Sequence, residues 1–214
     1  MHVSLPPTLP FPAGQGPFRI KGSVYAGVKA RYAKQYPGGL DGLAQLIGDP
    51  DLETFCKQKF LSSGWYDYFP MLLLARARGL YEVKARGQKA SYDDVVDSSA
   101  SSHAEADLGG IYKILLKFMS PEAAMGRMPG VHRQYFDFGE TTINRIEKGV
   151  SDLTISGWPD LAFPFYRSYA TAFVHRLIVL SGGISPRAEW DPPIPDGERS
   201  GVRLVAARVR TTWT

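Results

Sequence analysis

Apolar positions change period twice along this chain, and the changes divide it. Residues 18–25 alternate apolar and polar side chains, which predicts a short strand. Helical spacing then takes over. Helices are expected at 27–36 and at 40–47, where Leu40, Leu43 and Leu46 recur every third residue. Asp49-Pro50 supplies an N-cap followed by proline at the first helical position, opening a helix that carries Leu52, Phe55, Cys56 and Phe60. Trp65-Tyr66-Asp67-Tyr68-Phe69-Pro70 leads into an apolar helix at 71–77, which Gly79 is expected to close. Ser91 with Asp94 resembles a capping box, 98–102 is serine-rich, and Ile111, Ile114, Leu115 and Phe118 form one helical stripe. Ser120-Pro121-Glu122 starts a further helix, expected to stop before Pro129-Gly130.

Beyond residue 139 the period returns to two. Strands are expected at 140–147 and 152–158, linked by Lys148-Gly149. A long helix follows, with Phe165, Tyr169, Phe173, Leu177 and Leu180 on one face and Gly182-Gly183 as its C-cap. A third strand is expected at 187–190, a loop at 192–200, and a closing strand at 202–213 with Val205, Ala207, Val209 and Trp213 on one face. This order predicts an α+β fold: an N-terminal helical layer packed on a four-stranded antiparallel sheet, ordered strand, strand, helix, strand, strand. Residues 18–214 form one domain in this reading, mainly helical over 18–130 and sheet over 131–214. Pro6, Pro7, Pro10, Pro12 and Pro17 make residues 1–17 an extended leader, either a disordered tail, which is the favoured reading, or a segment lying along the body or a partner with Phe11 and Phe18 as anchors.

Composition narrows the compartment and partners. The chain has 214 residues, 44% of them hydrophobic and 21% charged, as in a soluble globular domain. No apolar run reaches the roughly 20 residues that span a bilayer, and the N-terminus lacks a secretory signal. The single cysteine, Cys56, excludes an internal disulfide and points to a cytoplasmic protein in which it is a small buried residue. A net charge of +4 with no basic tail does not indicate nucleic acid. Arg76, Arg78, Lys84, Arg86 and Lys89 read as a solvated basic face, since no glycine-rich turn accompanies them to cradle a phosphate.

Val-His-Arg-Gln-Tyr-Phe-Asp-Phe-Gly at 131–139 is the densest cluster of chemically usable side chains. His132, Arg133, Tyr135 and Asp137 are candidates to line a ligand pocket, Arg133 meeting an anionic head, with Trp65 and Tyr66 as further candidates. The competing structural reading has Tyr135, Phe136 and Phe138 anchoring the sheet, Asp137 capping a turn and Gly139 supplying positive φ, and it is the favoured one.

Several short motifs carry a resemblance: Ile20-Lys21-Gly22-Ser23-Val24, Gly64-Trp65-Tyr66, Gly110-Ile111-Tyr112 followed by Ser120-Pro121, Tyr135-Phe136-Asp137-Phe138-Gly139, and the terminal strand with Trp213. From residue 18 onward the chain resembles an uncharacterised bacterial domain family of about 200 residues, a paralogous group in myxobacteria. That family is similar in turn to the fold of haem–nitric-oxide-binding domains, four-vinyl-reductase-type domains and small vesicle-tethering (TRAPP) subunits. The resemblance implies helices on an antiparallel sheet used for small-molecule or lipid sensing and for assembly, often as dimers.

Gas-sensing relatives hold haem with a proximal histidine and a Tyr-x-Ser-x-Arg signature, which is absent; Tyr166-Arg167-Ser168 has the wrong order. His103 or His132 could ligate iron, but a lone histidine more often serves as a hydrogen-bonded residue, so no cofactor is expected and haem is disfavoured. One cysteine and four scattered histidines make no zinc site. His103-Ala104-Glu105 lacks the cysteine half of a deaminase motif, no P-loop or Gly-x-Ser-x-Gly elbow occurs, and Asp137-Phe138-Gly139 has no kinase context. The expectation is a non-enzymatic cytoplasmic sensory or regulatory homodimer that binds a small apolar or lipid-like ligand or a partner protein. A tethering-like assembly module without ligand, and an enzyme with a site near His132 and Asp137, are the alternatives.

Overall fold

The computed structural model describes residues 5–86 and 118–214. The chain falls into two compact units, one of Met1–Ser99 with Tyr135–Asp137 and the other of Ala100–Gln134 with Phe138–Thr214. The helices expected from Ser91 and along the Ile111, Ile114 and Leu115 stripe lie outside the described residues.

In the first unit, β1 (Arg19–Lys21) pairs antiparallel with β2 (Trp65–Asp67). The alternation read over 18–25 ends early because α1 (Gly22–Gln35) begins at once, burying Tyr25, Val28 and Tyr32 at helical spacing. Gly22 permits this tight change of direction. Its N–H donates to Gly64 O at 2.9 Å, and a Cβ there would fall 2.1 Å from Leu61 O.

Helices α2 (Gly39–Ile47) and α3 (Pro50–Lys57) follow, and Asp49 caps α3 by accepting from Asp51 N and Leu52 N. Helix α4 (Pro70–Arg86) does not stop at Gly79. It is buried on several sides around Leu72, Leu73, Leu74 and Ala77, and packing of this extent outweighs the roughly 1 kcal/mol that an internal glycine costs. Cys56 is buried, and burial pushes its thiol up to about 12.

Residues 5–17 are not a free tail. Leu5 is buried and Phe11 stacks on Phe69 at 6.1 Å. The Asp67 carboxylate accepts from Gly14 N (3.0 Å) and Gly16 N (2.9 Å) with Oδ2, and from Phe69 N (3.0 Å) with Oδ1. Prolines exclude regular structure from this stretch, so a buried acceptor satisfies its amides instead.

In the second unit, Ser120 caps the short α5 (Pro121–Met125), and α6 (Met128–Tyr135) starts anew. Pro129 sits in the first turn of α6, where its missing N–H costs nothing. The sheet has five strands rather than the expected four, all antiparallel. β3 (Glu140–Glu147) and β4 (Val150–Pro159) form a hairpin, and β4 pairs with β7 (Val202–Thr212). The far edge of β7 is shared end to end by β5 (Arg187–Trp190) and β6 (Ile194–Arg199).

β6 was expected as loop because it has no apolar face to betray it: all six residues are exposed and it includes Pro195 and Gly197. Main-chain pairing and a turn at Ser200 and Gly201, with φ of 53° and 77°, hold it to β7. Between β4 and β5 runs α7 (Phe163–Leu180), whose Phe173, Val174, Leu177 and Ile178 pack with Leu153, Val209 and Trp213. Each such side chain contributes about 1.5–3 kcal/mol by leaving water. Gly182, at φ 97°, ends the helix, and Gly183 N reaches back to Ile178 O at 2.9 Å.

Candidate functional site

The stretch 131–139 passes from the second unit into the first and back, and its side chains divide accordingly. His132 lies in the second unit, 4% exposed. Its Nε2 is 2.9 Å from Phe138 O and its Nδ1 is 3.1 Å from Thr141 Oγ1. A carbonyl can only accept, so Nε2 carries a proton. Burial holds the ring's pKa below the usual imidazole value against the pull of these hydrogen bonds, which favours the neutral ring with Nδ1 accepting from the threonine hydroxyl. Its edge meets Trp158, which stacks on Tyr166 with ring centroids 3.5 Å apart and takes the edge of Phe138 at 5.0 Å. Arg133, one residue on, is exposed.

Tyr135 and Asp137 belong to the first unit, as do Trp65 and Tyr66. Phe136 bridges to Ile20 and sets its ring edge-on to Tyr68 at 5.9 Å. Asp137 Oδ1 accepts from Arg19 N at 2.8 Å, and Asp137 N donates to Arg19 O at 3.1 Å. Tyr66 lies opposite Ile20 in the sheet; its hydroxyl accepts from Leu61 N at 2.9 Å, and its ring meets Phe60 at 5.0 Å. Trp65 is 38% exposed with the Lys21 ammonium 4.2 Å above its ring. The six candidates thus form two sets: His132 and Arg133 in one unit, and four residues around the β1–β2 sheet in the other. Gly139 has φ 66°, and a Cβ there would lie 2.9 Å from Ser156 O.

Asp67 and Arg78 are buried charged groups that escaped the sequence reading. Asp67 looked like one polar residue in an aromatic run, yet it is 3% exposed and organises the leader. Burial pushes its carboxyl up, with the backbone N–H groups of Gly16, Phe69 and Gly14 opposing. Arg78 was expected on a solvated face together with Arg76. It is 9% exposed within α4, one turn after Leu74 and Ala75, and continuing the apolar stripe through Gly79 would have revealed it. The cavity between α7 and the sheet, bordered by Leu153, Ile155, Tyr166, Val174 and Trp190, measures about 20 Å³, room for one water. Among the described residues, no helix is long and apolar enough to cross a membrane.

No family model matches the chain, and no curated protein does. Solved structures do. An Fe(II) unliganded H-NOX protein (a haem–nitric-oxide-binding domain) from K. algicida shares 13% identity over 91% of this chain and 96% of its own, with a TM-score of 0.55. A single-site mutant of the T. tengcongensis H-NOX shares 10% over 91% and 97%, with a TM-score of 0.59. An oxygen-binding H-NOX domain related to soluble guanylate cyclases, in its oxygen complex, shares 10% over 90% and 92%, with a TM-score of 0.56.

The chain has the fold of haem–nitric-oxide-binding domains, as the resemblance implied. The likeness to myxobacterial paralogues and tethering subunits rests on the short motifs alone. The expectation of no cofactor, with haem disfavoured, is corrected by these neighbours, which include structures determined to probe haem distortion in the H-NOX family. That expectation leaned on a missing signature, whereas the fold can persist at identities where short signatures do not.

Proposed function

We propose that this chain is a non-enzymatic, cytoplasmic ligand-sensing module, and that haem is the ligand to which its fold points. The fold likeness over nine-tenths of the chain is the observation that carries the reading. When bound, haem supplies an iron at which a small gas molecule can coordinate.

Haem would be held by an imidazole of the chain, and the histidines differ in their fitness for it. His132 has both ring nitrogens engaged, so it serves as a structural residue. His175, on α7, has its Nε2 enclosed without a partner among the described residues, and burial lowers its pKa. His175 is half-buried and is not among the α7 residues that pack on the sheet or line the small cavity there. We assign the haem-ligating role to His103, which lies outside the described residues, ahead of His175.

Haemin titration of the apoprotein, followed by its absorption spectrum, tests the reading. Wild type is expected to saturate at one haem per chain, His103→Ala to lose or alter the band, and His132→Gln to retain it. Absence of saturable binding by wild type would overturn the haem reading. An unchanged His103→Ala spectrum would overturn the assignment to His103.

A further inference from the structure

Among the described residues, Arg78 is a buried cation with no ion-pair partner. It is 9% exposed, and its Nε is enclosed with no hydrogen-bond partner among the described residues. Its close neighbour is an aromatic face, the Tyr32 ring, whose centroid lies 6.0 Å from the guanidinium carbon. Tyr36 packs edge-on to both Tyr32 (5.1 Å) and Tyr81 (5.3 Å), and the Arg78 charge acts on its hydroxyl. Glu82, one turn along α4, accepts the Tyr36 hydroxyl at 2.9 Å. Among the described residues, no ion pair joins Glu82 to Arg78. The neighbouring Arg76, by contrast, donates Nη1 to Leu5 O at 3.3 Å.

Taking a guanidinium out of water costs several kcal/mol unless an anion or a set of acceptors replaces the lost hydration. A tyrosine face returns about 0.5–2 kcal/mol, which leaves most of that cost standing. The planar fork of an arginine matches a carboxylate or phosphate with two parallel hydrogen bonds, and those are the groups that offset burial best. We infer that Arg78 is the receptor for a small oxyanion, a carboxylate or phosphate, held within the helical unit beside Tyr32 and Tyr36. A haem propionate and a free carboxylate or phosphate share this chemistry, so the inference stands whether or not haem is the ligand.

The test compares wild type with Arg78→Met, a substitution that keeps apolar volume and removes the charge. Melting is followed by circular dichroism without ligand and then with sodium acetate, sodium phosphate, haemin or haemin dimethyl ester. The ligand-free variant is expected to melt higher than wild type by at least about 2 °C, because an uncompensated buried charge has gone. At least one anionic probe is expected to raise the melting temperature of wild type and not of the variant. Stabilisation by haemin but not its ester identifies a propionate; stabilisation by acetate or phosphate identifies a free anion. If the ligand-free variant melts below wild type, or every probe shifts the two proteins equally, zero included, Arg78 is not an anion receptor.

Discussion

Arg19 and Asp137 hold each other by two hydrogen bonds: Arg19 N donates to Asp137 Oδ1 at 2.8 Å, and Asp137 N donates to Arg19 O at 3.1 Å. With the bridge from Ile20 to Phe136, they add residues 135–137 to the β1 edge. Replacing Asp137 by Ala removes the side-chain bond and leaves the Arg19 N–H to water. A loss of about 0.5–1.5 kcal/mol is expected in denaturant unfolding, with Asp137→Asn largely restoring it.

His132 makes stability depend on pH. Its folded pKa lies below its unfolded value near 6.5, so the unfolded chain takes up the proton first as pH falls. Its contribution is complete above about pH 6.5 and declines as pH drops from there through the folded pKa. His132→Gln, which keeps a donor and an acceptor, is expected to flatten that part of the stability profile measured by urea titration.

Asp67 governs the leader. A Cβ on Gly16 would lie 2.3 Å from Asp67 Oδ1, so Gly16→Ala must displace the carboxylate that holds Gly14 and Gly16. Asp67→Ala leaves three amides without their acceptor. Both variants are expected to speed limited proteolysis within residues 5–17 by about tenfold or more, since about 1.4 kcal/mol of local stability is a factor of ten in opening. Unchanged cleavage would show that the leader is held by Leu5 and Phe11 alone.

Gly139 ends the 131–139 stretch in a conformation that a side chain strains. Gly139→Ala combines φ of 66° with a Cβ 2.9 Å from Ser156 O and 3.1 Å from Trp158 Nε1. A cost of about 1–3 kcal/mol is expected, read as a shifted denaturation midpoint with an unchanged slope.

Much of this fold was legible because period-two and period-three-to-four patterns track burial. The strand Val202–Thr212, the helix Phe163–Leu180 and the cap at Asp49 all announce themselves by apolar spacing or turn chemistry. What escaped depends on partners distant in sequence. β6 is exposed on both faces, so only its pairing with Val202–Ala206 makes it a strand. Asp67 draws its role from amides 51 and 53 residues away. The candidate site was legible in part. Asp137 pairs with the Arg19 backbone instead of capping a turn, the burial of His132 had no signal in the sequence reading, and nothing local says that the chain changes unit between them. Arg78 was placed among surface charges because a charged residue next to a glycine resembles a helix end.

Native mass spectrometry of the protein purified from its own cells, paired with a visible absorption spectrum of the same sample, tests the central claim most directly. A haem-sized mass bound once per chain, with a Soret band that shifts on adding carbon monoxide, is the predicted result. A bare chain mass with no visible absorption, unchanged after haemin is supplied, would contradict it.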